Sequence, residues 1–255
     1  MIENAIYSKK EADIVFIGLD YYGTCGEQGN GPTLIRQALN SLSSYDIKTR
    51  KDAFDKLKIC DAGDIKAKNY EELKNKLKID FKGTPIIMGG EHLITLPVIE
   101  ALKPENVLIF DAHADYYDTY KGEKYSYATV TRRISEITSK VVVAGVRDLT
   151  QEEALSDFKN VKVLQDIKEV PRIINKGEWY VSIDLDVLDP SHCPEVSTPV
   201  PRGVSYEALV KVLNNLCINH RITGLDVVEL TAKTRGLSSI NAGGIIMNYL
   251  KRRCE

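Results

Sequence analysis

The sequence has few cysteines, and they form no pattern: Cys25, Cys60, Cys193, Cys217 and Cys254 are odd in number, scattered, and never spaced as C-x-x-C. That excludes a disulfide framework and a thiolate zinc site, and leaves ordinary reduced thiols. Long hydrophobic runs are missing as well. No stretch is long enough to span a bilayer, and the start of the chain lacks the apolar core of a secretory leader, so a cytoplasmic protein without membrane contact is expected. Charge of one sign is not in excess: the net charge is -2, with 43% hydrophobic and 27% charged residues. Such a balance excludes a nucleic-acid footprint and an intrinsically disordered chain. No internal repeat, low-complexity block or Gly/Ser linker divides the 255 residues. The length suits one α/β domain covering residues 1–255.

What is present is a recurrence of short apolar runs: 14–17, 85–88, 107–110, 141–144, 180–183 and 222–225. Runs of this length suit strands buried on both faces. Between them, segments 32–42, 70–78, 93–102, 127–138, 205–218 and 238–251 have helical spacing, as in Leu209, Val212, Leu213 and Leu216, with Ser205 placed to cap the helix that follows it. Alternation of the two predicts a three-layer α-β-α fold around a mostly parallel, doubly wound sheet. The charge-dense stretches 46–58 and 69–82 read as solvated helix faces. In open α/β sheets, chemistry lies at the carboxyl ends of the strands, so the residues just after each apolar run carry the functional signal.

After the third run comes Asp111-Ala112-His113-Ala114-Asp115. In extended chain, residues two apart point to one side, so Asp111, His113 and Asp115 can converge as metal ligands. Asp184 and Asp186 follow the fifth run in the same phase, whereas Asp189, out of phase and before Pro190, reads as a turn residue. Gly89-Gly90-Glu91-His92 follows the second run, with glycines that permit a tight turn and bring His92 to the same sheet edge. Glu229 ends the segment after the sixth run, where a carboxylate either caps the strand or faces the site. His220 reads as a surface residue, and His192 as a residue at the surface or supporting the site from behind, ahead of a substrate contact.

Together His92, Asp111, His113, Asp115, Asp184 and Asp186 offer nitrogen and oxygen but no sulfur, which suits Mn²⁺ or a similar hard divalent ion better than structural Zn²⁺. Six candidate ligands suggest two ions, roughly 3.5–4 Å apart, acidifying a shared water. Four aspartates cancel two dications, and Glu229 leaves the pocket negative. A cationic substrate fits it, whereas a phosphate ester would need an Arg or Lys clamp that these motifs lack.

These residues resemble the ureohydrolases, the family of arginase, agmatinase and their relatives. The resemblance covers most of the chain and rests on Gly18, Gly31-Pro32 with Ile35-Arg36, Gly89-Gly90-Glu91-His92, Asp111 to Asp115, Gly145-Val146-Arg147, Ser182 to Pro190, and Asp226-Val227-Val228-Glu229. It implies an arginase-like fold and a binuclear manganese enzyme in which hydroxide bridging the ions attacks a guanidino carbon, giving urea and an amine. By residue, it implies one ion on His92, Asp111, Asp115 and Asp184. The second would sit on His113, Asp111, Asp184 and Asp186, with Asp111 and Asp184 bridging. Glu229 would bind the guanidinium, and Asp115 would pass a proton to the departing amine. A homo-oligomer, trimer or hexamer, is implied as well.

Three positions depart from the family pattern. Tyr127 follows Ser126 where agmatinase-type members carry a proton-shuttling His. Glu91 replaces an Asp, and Pro194 to Pro199 replaces a glycine-containing loop. A phenol titrates near 10, so Tyr127 is expected to donate a hydrogen bond to the substrate, stack on it, or pack at the rim. The region around Ser126 resembles agmatinase, and the His-Gly-Asn stretch with which arginases resemble carboxylate readers is absent. Agmatine, or a polyamine-extended form of it, is therefore the expected substrate ahead of arginine, guanidinobutyrate or formiminoglutamate. The alternatives are a catalytically weak metal-binding homologue and a binuclear hydrolase of another bond.

Overall fold

Each of the apolar runs forms a strand because its side chains are buried alternately on two faces. In the computed structural model, which describes residues 1–26 and 29–254, eight strands form one sheet. They are β1 (Ile14–Asp20), β2 (Ile59–Lys66), β3 (Thr84–Gly89), β4 (Asn106–Phe110), β5 (Lys140–Ala144), β6 (Val161–Leu164), β7 (Glu178–Asp184) and β8 (Arg221–Val228). The order across the sheet is β2-β1-β3-β8-β7-β4-β5-β6, and every pairing in it is parallel. The principal helices are α1 (Gly31–Ser41), α2 (Tyr70–Lys76), α3 (Thr95–Leu102), α4 (Val130–Ser135), α5 (Tyr206–Asn219) and α6 (Leu237–Arg253).

Alternation along the strands builds two cores. Ile14, Phe16, Ile86, Met88, Leu108 and Phe110 pack with Leu34, Ile35, Leu213 and Ile246 from α1, α5 and α6 on one face. Val15, Ile17, Ile87, Val107 and Ile109 pack with Leu73, Ile99 and Ile134 from α2, α3 and α4 on the other. The three-layer expectation therefore holds. Ser205 caps α5 by accepting a hydrogen bond from the Ala208 N–H, as its position suggests.

Two strands, β2 and β6, escape the sequence pattern because they are the sheet's edges. An edge strand is partly solvated, and only Ile59, Cys60 and Asp61 of β2 are buried, so neither strand shows a continuous apolar run. The stretch 46–58 is also not one solvated helix. It contains the Asp46 end of a small antiparallel hairpin, Tyr45–Asp46 with Lys51–Asp52, and only a four-residue helix, Ala53–Lys56. Asp46 directs this local structure: its carboxylate accepts from the Lys48 and Thr49 N–H groups and makes a turn that competes with helix. The stretch 69–82 is helical only through α2. Among the described residues no helix is long and apolar enough to cross a membrane.

Late strands enter the middle of the sheet. β7 and β8 insert between β3 and β4, so the carboxyl ends of β3, β8, β7 and β4 lie side by side. Ligands of open α/β sheets bind at such reversals of strand order. His92, Glu229, Asp184 and Asp111 each lie at or within three residues of one of these four ends.

Candidate metal centre and substrate cavity

The residues after β4 do not continue as a strand. Asp111 leaves the sheet with its N–H bonded to Ala144 O, its Oδ1 accepts the His113 N–H at 2.6 Å, and Asp115 adopts a left-handed φ of 50°. Convergence of Asp111, His113 and Asp115 thus arises from a tight turn held by the carboxylate itself, and not from the two-residue period of extended chain. After β7 the pattern repeats: the backbone turns into a 3₁₀ segment, Leu185–Val187, and Asp184 Oδ1 accepts the Asp186 N–H at 2.8 Å. Asp186 Oδ1 in turn accepts the Ala112 N–H at 2.9 Å and ties the two turns together. His92 reaches the site after β3 for a reason of space: a Cβ on Gly90 would lie 2.1 Å from Tyr21 O.

With one oxygen of Asp111, Asp184 and Asp186 tied to backbone, the other faces an imidazole. His92 Nδ1 lies 3.1 Å from Asp111 Oδ2, 3.3 Å from Asp115 Oδ2 and 3.1 Å from Asp184 Oδ2. His113 Nδ1 lies 2.9 Å from Asp186 Oδ2 and 3.5 Å from Asp111 Oδ1. Ligand atoms at right angles about 2.1 Å from one centre are separated by about 3 Å, so these spacings match ligands gathered around ions. His92 Nδ1 and Asp111 Oδ2 are buried without any hydrogen-bond partner. Two lone-pair groups orphaned so close together are costly unless a cation binds between them. The groups His92, Asp111, Asp184 and Asp111, His113, Asp186 could each hold one metal ion.

Electrostatics agree with that geometry. Burial, together with the charges of Asp186 and Asp111, pushes the Asp184 carboxyl well above its ordinary range, and burial with Asp111 pushes Asp115 up to about 7. Burial and Asp111 also raise Asp186. Burial opposes the imidazolium of His92, but the carboxylates of Asp111, Asp115 and Asp184 outweigh it and raise the ring's pKa. Without a metal the cluster takes up protons, and two dications would do the same neutralisation with four aspartates.

Behind His92 lies a polar relay that strand periodicity did not reveal. Ser182 Oγ donates to Asp226 Oδ1 at 2.5 Å, and His92 Nε2 lies 3.1 Å from the same Oγ. Since the serine proton is given to Asp226, its oxygen accepts from Nε2–H, which leaves Nδ1 bare for an ion. Tyr180 and Thr95 donate to Asp226 as well. A Ser and an Asp in register within buried strands, Ser182 opposite Asp226, were the available signal, since buried polar groups must be paired.

Glu229 follows β8 with a left-handed φ of 64°. Its Oε1 accepts the His92 N–H at 2.7 Å and its Oε2 accepts Ser197 Oγ at 2.7 Å. Burial pushes its carboxyl up to about 8. Non-glycine residues in this conformation are uncommon, and here both such carboxylates face one cavity. That cavity, of about 150 Å³, is lined by His113, Asp115, Asp184, Asp186 and Glu229 at its floor, and by tyrosines farther out.

The remaining sequence candidates are distributed around this floor. Tyr127 lines the cavity, half-buried and edge-on to Tyr120, and burial and Tyr120 hold its phenol well above its ordinary pKa. Glu91 lies outside the cluster, fully buried, and accepts from the Thr24 N–H and hydroxyl and the Cys25 N–H, which fastens the loop after β1. The unusual 194–199 loop lines the cavity through Thr198, while its Ser197 donates to Glu229. Arg147 secures that wall: its guanidinium donates to the carbonyls of Asp186, Val200 and Pro201, among others. Asp189 stays out of the cluster and binds Ser191 and the Gly203 N–H. His192 does not line the cavity, and its carbonyl accepts from Asn241. His220 lies in the bend between α5 and β8, half-buried, with Nδ1 lacking a hydrogen-bond partner.

A parallel eight-stranded α/β sheet with a buried carboxylate and imidazole cluster at its switch point defines the class, an α/β protein with a candidate metal centre. The Arginase family model matches residues 12–250, and the chain belongs to that family as an arginase/agmatinase-type ureohydrolase, a hydrolase of amidine C–N bonds. An agmatinase of Pyrococcus horikoshii is 33% identical over 94% of this chain and 92% of its own length. An N(1)-aminopropylagmatine ureohydrolase of Thermococcus kodakarensis is 32% identical over 92% of this chain and 88% of its own. The crystal structure of the agmatine ureohydrolase of Thermoplasma volcanium superposes with a TM-score of 0.87 at 27% identity, covering 99% of this chain and 93% of that one.

Proposed function

We propose that this chain hydrolyses agmatine to urea and putrescine with two Mn²⁺ ions. His92, Asp111, Asp115 and Asp184 would hold one ion, and His113, Asp111, Asp184 and Asp186 the other, with Asp111 and Asp184 shared. The observation that carries this reading is the convergence of these side chains at separations near 3 Å around the orphaned His92 Nδ1 and Asp111 Oδ2. When bound, the ions supply Lewis acidity and lower the pKa of a water so that hydroxide is available near neutral pH.

The protein's own groups do the rest. Glu229, fixed by the His92 N–H and Ser197, binds the guanidinium by charge-assisted hydrogen bonds and orients its carbon toward the cluster. Asp115 accepts the proton released as water oxygen adds to the guanidinium carbon and delivers it to the amine nitrogen as the C–N bond to that nitrogen breaks. Tyr127 keeps its proton, so it donates to the substrate or lies against it and does not shuttle. The preference for agmatine over arginine is supported by the lining of the cavity, which among the described residues includes carboxylates and tyrosines but no Lys or Arg to meet an α-carboxylate.

Purified protein loaded with Mn²⁺ and offered agmatine, arginine, guanidinobutyrate and formiminoglutamate, with urea and amine products both quantified, tests class and substrate together. Urea with putrescine from agmatine is expected. Binding of two metal ions without hydrolysis of any member of the panel would instead identify a catalytically idle homologue.

A further inference from the structure

Three hydrogen bonds converge on the carboxylate of Glu91, which is buried and does not line the cavity. Its Oε2 accepts the N–H groups of Thr24 and Cys25 at 2.7 and 3.0 Å, and its Oε1 accepts the Thr24 hydroxyl at 2.8 Å. In return the Glu91 N–H donates to Tyr21 O at 2.9 Å, so the turn after β3 and the loop after β1 hold each other. Because the Thr24 proton is given to Glu91, its Oγ1 presents only lone pairs to what lies beyond. What lies beyond is the Tyr127 N–H, 3.2 Å away. Tyr127 opens a 3₁₀ segment, Tyr127–Thr129, and the first N–H groups of such a segment have no partner within it. The local cap serves its neighbours: Ser126 Oγ accepts from the Ala128 N–H, and Thr129 Oγ1 from the Ser126 N–H. The Tyr127 N–H is left over, and a residue 103 positions away takes it.

We infer that Thr24 is a positioning residue: its hydroxyl, oriented by Glu91, holds Tyr127 at its place in the cavity wall and so sets the fit of that wall to substrate. Thr24 itself does not line the cavity, so it acts only through Tyr127. Glu91 and His92 are adjacent in the chain. One short turn therefore presents His92 to the carboxylate cluster and, through Glu91 and Thr24, fixes Tyr127, so that floor and wall are referenced to the same backbone. Glu91, standing where the family pattern has Asp, supplies the reach. An Asp carboxylate would end one carbon–carbon bond, about 1.5 Å, short of it, and contacts of 2.7–3.0 Å lengthened by that much are no longer hydrogen bonds. The effect on turnover rests on the guanidine hydrolase reading, whereas the latch between Glu91, Thr24 and Tyr127 does not.

The test compares wild type with Thr24→Val, Thr24→Ser and Glu91→Asp, all loaded with Mn²⁺. Val keeps the shape of Thr but neither donates nor accepts, so the Tyr127 amide should exchange with solvent deuterium about five- to tenfold faster, the effect of one lost hydrogen bond. The KM for agmatine should rise by a similar factor, with kcat within about twofold and Mn²⁺ affinity unchanged, because the wall is displaced and the ligands are not. Thr24→Ser keeps the hydroxyl and should leave exchange and KM near wild type. Glu91→Asp should reproduce the Val effect on the Tyr127 amide, and combining it with Thr24→Val should add little, since both act on one chain of bonds. If no guanidine is hydrolysed, the proposed activity fails, and amide exchange still decides the latch. Wild-type exchange at Tyr127 in Thr24→Val, a wild-type KM in an active Thr24→Val enzyme, or a Thr24→Ser variant as impaired as Thr24→Val overturns the inference.

Discussion

Removing the Ser182 hydroxyl separates the relay's role from that of the ligands themselves. In Ser182→Ala, His92 keeps its place in a fully buried pocket but loses the acceptor for Nε2–H, 3.1 Å away. An unpaired buried donor costs about 1–3 kcal/mol, and the ring regains the freedom to turn or to carry its proton on Nδ1. Loss of a group that orients a ligating imidazole weakens metal binding about 10- to 100-fold, or about 1.4–2.7 kcal/mol, which is the same range reached independently. Titration with Mn²⁺ against a competing chelator measures the affinity, and the metal-induced rise in thermal stability should shrink by the same amount. Thr95→Val is the control. It deletes another donor to Asp226, at 2.9 Å, and a long 3.4 Å contact with Ser182 Oγ, but leaves the Ser182 hydroxyl facing the His92 ring, so it should lower stability and spare affinity. Ser182→Ala retaining affinity within about threefold of wild type, or Thr95→Val losing as much, would refute the relay.

Three further outcomes are expected. Arg36 pairs with the buried Asp61 through Nε and Nη2 at 2.8 and 2.9 Å, so Arg36→Met should cost about 3–5 kcal/mol in denaturant unfolding. Burial raises the Asp61 pKa, but Arg36 outweighs it and holds it below the ordinary 3.8. Its stabilisation is thus present above that value and lost as pH falls through and below it, and the gap between variant and wild type should narrow on the acid side of about pH 4. Tyr127→His should raise agmatine turnover or move its pH optimum, because an imidazole titrates near neutrality where this phenol does not; identical rate profiles across pH would mean that position 127 is not one from which a proton shuttle can act. Arg147→Lys, with three donors in place of a planar fork, should loosen the wall carrying Thr198 and raise KM several-fold, with Mn²⁺ content unchanged by metal analysis.

The two strands that the sequence pattern missed share one cause. β2 and β6 lie at the sheet's edges, where solvent replaces one neighbour and polar residues such as Lys162 are tolerated, so their apolar signal is diluted. The ligand candidates were legible for the opposite reason: Asp111, His113, Asp115, Asp184 and Asp186 follow runs too apolar to be anything but buried strands, and carboxylates there need a purpose. The inferred geometry was nonetheless different, because Asp111 and Asp184 fold the chain onto their own oxygens. The cavity-lining Tyr117, Tyr120 and Asp148 carried no signal, since loop tyrosines and a lone Asp are common on any surface.

By itself, then, the sequence determined which strands are buried, where they end, and that nitrogen and oxygen ligands cluster at those ends, because burial and periodicity are local properties. Only the tertiary structure decided that β7 and β8 enter between β3 and β4 and bring residues from 92 to 229 around one point. It also decided that the spare oxygens face the two imidazoles, and that Asp226 sets the tautomer of His92 through Ser182. Those are matters of distance between segments far apart in the chain, and distance of that kind is fixed by packing.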